Sequence, residues 1–186
     1  MPATRTSAIA ELTTTEAAVL ALLAIEGERS GYDLLKLVTK SIAHVWSPAR
    51  SGLYAVLPRL ERAGLVRRRT VTQATRPDKQ LYKVTRTGRR TLDVWLETVE
   101  PGATESFYLK LFVGGLTSPD VLLEQVAQFR ADAAARLAVY REIEPTNRNR
   151  GHDWYHRHLL ELGIARAELD LRWADRVVLA LARGPR

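Results

Sequence analysis

The chain has 186 residues, 46% of them hydrophobic and 26% charged, and its formal net charge is +7. It contains no cysteine, which excludes disulfides, thiolate-bound metals and cysteine nucleophiles. No apolar run reaches the length of about 18 residues that a membrane helix needs, and the first residues do not resemble a secretory signal, so we expect a cytoplasmic protein without a membrane partner.

Two helix starts are visible near the beginning of the chain. Thr13 and Glu16 have the spacing of a capping box, and the apolar run that follows predicts a helix buried on most sides. Gly27 is expected to end this helix. Ser30 is then predicted to cap a second helix, with Asp33 in its first turn.

The third helix is predicted to begin at Ser47 and Pro48, a serine cap followed by a proline at the first helical position. It ends at Gly64. Its core face is expected to carry Leu53, Leu57 and Leu60.

A β-hairpin and a fourth helix follow. Residues 66–73 are β-branched and basic, residues 74–79 contain a turn sequence, and residues 80–85 alternate in polarity, so we expect two strands with a basic tip. Thr85 is predicted to cap the fourth helix, which contains Trp95.

The second half is helical by pattern. In an apolar segment near residue 110, Lys110 is expected to reach the solvent with its ammonium group. A helix of about 25 residues starts at Pro119, and a last helix runs from about Asp153 to Ala182 with two apolar faces. One face is expected to pack on the preceding helix. For the other we predict a second copy of the chain, through Tyr155, Leu159, Leu162, Leu169, Trp173 and Val177.

The positive charge is concentrated in one segment. Residues 47–90 hold 12 basic and 2 acidic residues, a net charge of +10, whereas residues 101–186 hold 12 and 11. Such a segment attracts polyanions, which in the cytosol are mostly nucleic acid. The alternative is a solvated basic face without a partner.

Three short helices, a basic hairpin and a fourth helix predict a winged helix-turn-helix. The fold class is therefore mainly α, with a DNA-binding domain at residues 12–100 and an all-helical dimerisation domain at residues 101–186. The start of the third helix offers backbone N–H groups to phosphates or base edges. The side chains expected to contact DNA there are Ser47, Arg50, Ser51 and Tyr54, and those of the wing are Arg76 and Lys79.

Three segments resemble the PadR family of transcriptional regulators. They are residues 30–34 (SGYDL), 53–66 (LYAVLPRLERAGLV) and 82–89 (YKVTRTGR). The helical second half resembles the dimerisation domain of the longer branch of this family. The resemblance implies a homodimeric regulator, usually a repressor, that binds a palindromic operator and in some members is released by small hydrophobic compounds. Carried onto this chain, it adds Tyr32, Arg59 and Gln80 to the DNA-facing positions.

The third helix departs from the family pattern at one place. The family often has a proline directly after the helix-three tyrosine, whereas this chain has Ala55 there and Pro58 three residues later. A proline inside a helix removes one hydrogen bond and crowds the preceding turn. We therefore expect either a kink near Tyr54 or a helix that begins later than Ser47.

Other kinds of site receive less support. Three aromatic residues, Trp95, Tyr108 and Trp154, are candidates for an effector pocket, although tryptophan at helical spacing is more often core. His152 and His156 have a metal-binding spacing without the glutamate that an enzyme would need, so we expect no metal. No enzyme motif, cofactor loop or paired carboxylate is present, and we predict no catalysis and no cofactor.

The sequence thus predicts a DNA-binding transcriptional regulator, most simply a repressor, whose partners are double-stranded DNA, a second copy of itself and a small aromatic effector. The alternatives are a binder of RNA or single strands, and a protein-interaction module without effector control. Single-strand binders need exposed aromatics on a sheet or groove, and a protein-interaction module would leave the basic wing unexplained.

Overall fold

The computed structural model describes residues 12–40, 50–73, 78–146 and 150–184. In these residues the chain is mainly helical, with one antiparallel hairpin, as the sequence predicts. Short 3₁₀ turns lie at Gly114–Leu116 and Glu144–Thr146. In chain order the elements are α1 (Thr14–Glu26), α2 (Gly31–Lys40), α3 (Arg50–Arg62), β1 (Val66–Val71), β2 (Lys79–Val84), α4 (Arg86–Glu97), α5 (Thr104–Phe112), α6 (Pro119–Ile143) and α7 (His152–Arg183).

The chain divides into two compact units. The first comprises Met1–Thr98 and Tyr108–Thr117, and the second comprises Val99–Phe107 and Ser118–Arg186. Helix α5 contributes to both, because its first residues belong to the second unit and its last residues to the first.

The N-terminal caps predicted for the first two helices are both present. Thr13 Oγ1 accepts the Glu16 N–H at 3.3 Å, and the Glu16 carboxylate accepts the Thr13 N–H at 3.0 Å. Ser30 and Asp33 repeat the arrangement at the start of α2, with distances of 3.3 and 3.2 Å. Each pair satisfies backbone donors that a helix start leaves open, so two short helices begin at defined residues.

The core of the first unit is built around α1. Its residues 17–23 are all buried, which explains why this helix is apolar on nearly every side. Burying each large aliphatic side chain contributes about 1.5–3 kcal/mol. Six leucines of this core are at most 2% exposed: Leu34, Leu53, Leu57, Leu60, Leu92 and Leu96. The three predicted for the core face of the third helix, Leu53, Leu57 and Leu60, are among them.

The predicted hairpin is confirmed and has an additional anchor. β1 and β2 pair antiparallel, from Val66 opposite Val84 to Val71 opposite Lys79. On the other edge of β2, Arg29 donates its N–H to the Tyr82 carbonyl at 3.1 Å, and the Tyr82 N–H donates back at 2.8 Å. The turn between α1 and α2 therefore holds the wing by backbone bonds.

Helix α4 begins against the entry to β1. Thr85 caps it as predicted, because its Oγ1 accepts the Gly88 N–H at 3.0 Å. The Thr85 hydroxyl also donates to the Gly64 carbonyl at 2.7 Å. Gly88 lies so close to the Leu65 backbone that a Cβ atom at position 88 would stand 2.0 Å from the Leu65 carbonyl oxygen.

Lys110 corrects an expectation from the sequence. It is 1% exposed instead of reaching the solvent. Its Nζ donates to the Thr98 carbonyl oxygen and lies 4.7 Å from the centroid of the Trp95 ring. A carbonyl at the C-terminal end of α4 and the face of an indole ring both attract a cation, and together they replace water.

The second unit is centred on an antiparallel pair, α6 and α7. Ion pairs link the two helices along their length: Arg130–Asp175 (2.7 Å), Arg136–Asp170 (3.2 Å) and Arg141–Glu168 (2.8 Å). The buried residues of α7 are Ile164, Ala167 and Ala174. Phe107 and Phe129 stack at 4.6 Å between ring centroids, and the Trp173 ring packs edge-on against both.

Hydropathy separates all these helices from transmembrane segments. Nowhere in the described ranges is a helix both long enough and apolar enough to cross a bilayer.

Candidate nucleic-acid interface

Helix α3 presents a mixed surface opposite its buried leucines. It runs through Pro58 as one continuous helix, and Tyr54 is 45% exposed. Arg50 and Ser51 lie in its first turn, but their side chains are outside the described residues. Ser47 and the predicted helix start also lie outside, as does Arg76 at the tip of the wing.

Four of the predicted DNA-facing residues meet at one open cleft of about 540 Å³. Tyr32 comes from the first turn of α2 and Tyr54 from α3, whereas Lys79 and Gln80 come from the start of β2. Tyr32 is 57% exposed, so both tyrosines are surface residues and not part of the core. The cleft thus combines phenol hydroxyls, an ammonium group and an amide, which can donate to phosphate oxygens, with the carboxylates of Asp33 and Asp78.

Gly31 sets the distance between α2 and α3 at this cleft. A Cβ atom at this position would lie 2.8 Å from Cε1 of Tyr54 and 3.1 Å from Cδ1 of Leu57. Only a residue without a side chain lets the start of α2 approach Tyr54 so closely. The packing of two helices therefore determines where the tyrosine ring stands.

Arg59, also predicted to face DNA, lies apart from these four residues. Its guanidinium pairs with Glu16 at the start of α1, at 3.2 Å, while its side chain is half exposed. It therefore reaches the surface beside the first helix.

Three cations of the wing, Arg68, Arg69 and Lys79, are paired with acids from outside the hairpin. Arg69 makes two contacts of 2.6 and 2.9 Å with Oε2 of Glu28 and one of 3.0 Å with Oε1. The Nε of Arg68 donates to Glu61 at 3.1 Å, and the Lys79 ammonium lies 3.0 Å from Oδ2 of Asp33. A second hollow of about 460 Å³ is lined by Glu28, Arg67, Arg68, Arg69 and Lys83.

These pairs shift the pKa values of two carboxyls. Hydrogen bonds from Arg69 lower the pKa of Glu28, against a smaller effect of desolvation. For Asp33, partial burial raises the pKa, but the hydrogen bonds from Ser30 and Lys79 together outweigh it, and the net pKa is lowered. Both groups are therefore carboxylates at neutral pH, and both ion pairs persist there.

Sequence reasoning missed these pairs for a simple reason. Glu28 and Arg69 are 41 residues apart in the chain. No local spacing links them, and only the return of the wing to the α1–α2 turn brings them together. The alternation of β1 did indicate that the three consecutive arginines could not all face one way.

The residues predicted for an effector pocket belong to different units. Trp95 is buried in the first unit under Lys110, and Tyr108 is partly buried in the same unit. Trp154 belongs to the second unit, where it is 49% exposed and packs edge-on against Tyr155 and His158.

The residues predicted for the dimer interface lie along α7. Four of them are more than half exposed in the single chain: Tyr155, Leu159, Leu162 and Leu169. Trp173 and Val177 are partly buried, and Trp173 packs on Phe107 and Phe129 of its own chain.

These features define a class of protein. A helical unit with a basic hairpin, in which α2, α3 and the wing surround one polar cleft, is a winged-helix DNA-binding domain.

Comparison with known proteins then identifies the family. A family model described as Transcriptional regulator PadR-like family matches residues 19–94, and a model described as Virulence activator alpha C-term matches residues 105–182. The Probable transcriptional regulator Rv1176c of Mycobacterium tuberculosis is 30% identical in an alignment of 174 positions that covers 84% of this chain and 92% of that protein. The chain belongs to the PadR-like family of transcriptional regulators, and it is a DNA-binding protein of that family.

Two further similarities come from Bacillus subtilis. The Negative transcriptional regulator PadR is 26% identical in an alignment of 172 positions that covers 87% of this chain and 93% of that protein. The crystal structure of Bacillus subtilis PadR in complex with operator DNA has a TM-score of 0.46 and 23% identity, over 91% of this chain and 99% of that one.

Proposed function

We propose that this protein is a homodimeric repressor that binds a palindromic operator. In this proposal residues 12–100 bind DNA and residues 101–186 dimerise. The observation that carries it is the cleft at which Tyr32, Tyr54, Lys79 and Gln80 meet beside α3. The name of the 26% identical relative, a negative regulator, supports repression over activation.

In each subunit α3 enters the major groove and the wing contacts the neighbouring backbone. Two subunits related by a twofold axis then read two half-sites one or a few helical turns apart. The test is a selection of genomic fragments by the purified protein at physiological salt. Enrichment of an inverted repeat is expected, whereas enrichment of no sequence, or displacement of the bound duplex by competing RNA, would contradict the proposal.

Two substitutions should separate base reading from backbone contact. Arg50→Ala is expected to cost about 1–3 kcal/mol and to relax the preference at one base position, since an arginine in the first turn of a recognition helix can make a bidentate contact with a guanine. Arg76→Ala in the wing should weaken binding to all sequences alike. Binding to an operator library with each position randomised measures both effects; equal losses on every sequence for Arg50→Ala would argue against base reading.

The proposed dimer interface predicts a second pair of variants. Leu159 is 69% exposed on α7, and burial of a leucine at an interface contributes about 1.5–3 kcal/mol. A twofold dimer loses two such leucines, so Leu159→Ser is expected to weaken self-association by at least about a hundredfold. The control is Leu179→Ser, because Leu179 is 58% exposed on the same helix but outside the predicted stripe. Sedimentation equilibrium measures both. Equal behaviour of the two variants would place the interface elsewhere.

A small aromatic effector is the last part of the proposal. Release from DNA requires a ligand with different affinities for the DNA-bound and the free geometry. The aromatic residues Trp95, Tyr108 and Trp154 remain its candidate contacts. Titration of aromatic compounds into the protein–operator complex tests this, and an operator affinity unchanged by every compound would count against effector control.

A further inference from the structure

Two acids outside the cationic segment hold two of its cations. Oδ2 of Asp33 lies 3.0 Å from the Lys79 ammonium and also accepts the Ser30 hydroxyl at 2.7 Å. Glu28 holds the Arg69 guanidinium through two nitrogens. One pair stands at the cleft with Tyr32 and Tyr54, and the other stands at the second hollow.

Both pairs are accessible to solvent. The side chains of Lys79 and Asp33 are 41% and 31% exposed, and those of Arg69 and Glu28 are 59% and 24% exposed. An ion pair in such a setting contributes little to the stability of the fold, because water and salt screen it. It does, however, cancel one positive charge at the surface that would meet DNA.

The wing does not depend on these pairs for its attachment. Arg29 already joins β2 through two backbone hydrogen bonds with Tyr82, at 3.1 and 2.8 Å. The two carboxylates are therefore placed at the cations without being required to hold the sheet.

We propose that Asp33 and Glu28 are internal counter-ions, which compete with DNA phosphates for Lys79 and Arg69 and so set the affinity and the salt dependence of binding. This inference rests on the proposed function, and it deepens it by assigning a role to residues that do not contact DNA themselves. When a phosphate replaces the carboxylate, the cation changes partner. The free energy needed to break the internal ion pair therefore reduces the net free energy of binding to DNA.

Neutral isosteres provide the test. Asp33→Asn keeps an oxygen that can accept from Ser30 but removes the charge that holds Lys79. Glu28→Gln does the same for Arg69 and lies outside any helix cap. Each variant is expected to bind a fluorescein-labelled duplex about threefold to tenfold more tightly at low salt. The slope of log affinity against log salt should steepen by up to about 1.8 for a dimer, which is about 0.9 for each added phosphate contact.

A matched control separates a local effect from a change in net charge. Asp175→Asn also removes one acid from an exposed pair with an arginine, but in the second unit. It should leave both affinity and slope close to those of the wild type. A double variant tests whether the effect of Asp33→Asn depends on Lys79. With Lys79→Gln already present, Asp33→Asn should no longer tighten binding to DNA.

The outcomes are distinguishable. If the wild type binds the duplex but Asp33→Asn and Glu28→Gln, both with unchanged melting temperatures, bind equally or more weakly, the counter-ion role is wrong and the proposed function stands. If the melting temperature of Asp33→Asn is lower than that of the wild type, the Glu28→Gln variant alone tests the counter-ion role. If the wild type itself binds no duplex at low salt, the proposed function fails first.

Discussion

Raising the salt concentration from about 50 to about 200 mM is expected to weaken binding of the dimer to its operator by about 10³- to 10⁵-fold. The range corresponds to about six to ten phosphate contacts per dimer, each of which releases a condensed counterion. The net charge of +10 in residues 47–90 provides the cations for these contacts. Fluorescence anisotropy of a labelled operator over a salt series measures the slope directly.

The position of the slope within this range carries structural information. In the free protein Arg59, Arg68, Arg69 and Lys79 are each paired with an acid of the same chain. If these cations keep their internal partners on DNA, the slope should fall near the lower limit. A response that is flat across the series would contradict the cationic surface as the source of affinity.

Gly88→Ala is expected to destabilise the fold by about 3 kcal/mol, because the new Cβ would stand 2.0 Å from the Leu65 carbonyl oxygen. That oxygen cannot easily retreat, since it accepts the Thr85 N–H at 3.0 Å. For a chain of this size the loss corresponds to a melting temperature lower by roughly 6–12 °C. Thermal unfolding followed by circular dichroism measures it.

Gly52→Ala is the matched control. Gly52 lies in α3, and a Cβ atom there would meet nothing within 4 Å among the described residues outside its own helix backbone. Alanine favours the helix by about 0.8–1 kcal/mol over glycine, so this variant should melt at the same temperature or slightly higher. If both alanine variants behaved alike, the close approach of α4 to the entry of β1 would not be a constraint on the fold.

Local patterns were sufficient to predict most of the first unit. The caps at Thr13, Ser30 and Thr85 depend on residues three apart, so their hydrogen bonds could be expected before any tertiary contact was known. The hairpin followed from the change of period after Gly64 and from the turn sequence between the strands. Tyr54 was assigned to the surface from its place near the start of the third helix and Tyr32 from the family resemblance, and both are exposed.

Contacts between distant segments could not be predicted in the same way. The bridge between Arg29 and β2, and the pair between Glu28 and Arg69, depend on how the wing folds back on the α1–α2 turn. The burial of Lys110 could not be predicted either, because the residues beside it in the sequence indicated an amphipathic side chain that reaches the solvent. Its burial depends on a carbonyl at Thr98 and the ring of Trp95, which only the fold brings together.

The arginines of β1 have a consequence apart from DNA. β2 is covered on both sides, by β1 and by Arg29, but within the described residues the outer edge of β1 has no neighbouring strand. An open strand edge is a template on which another molecule can add a strand, and this leads to aggregation. Arg67, Arg68 and Arg69 lie on this edge strand with side chains that alternate between its two faces, and charged residues on an edge strand disfavour the addition of another strand. The same residues should keep the protein in solution at concentrations where a neutral hairpin would polymerise.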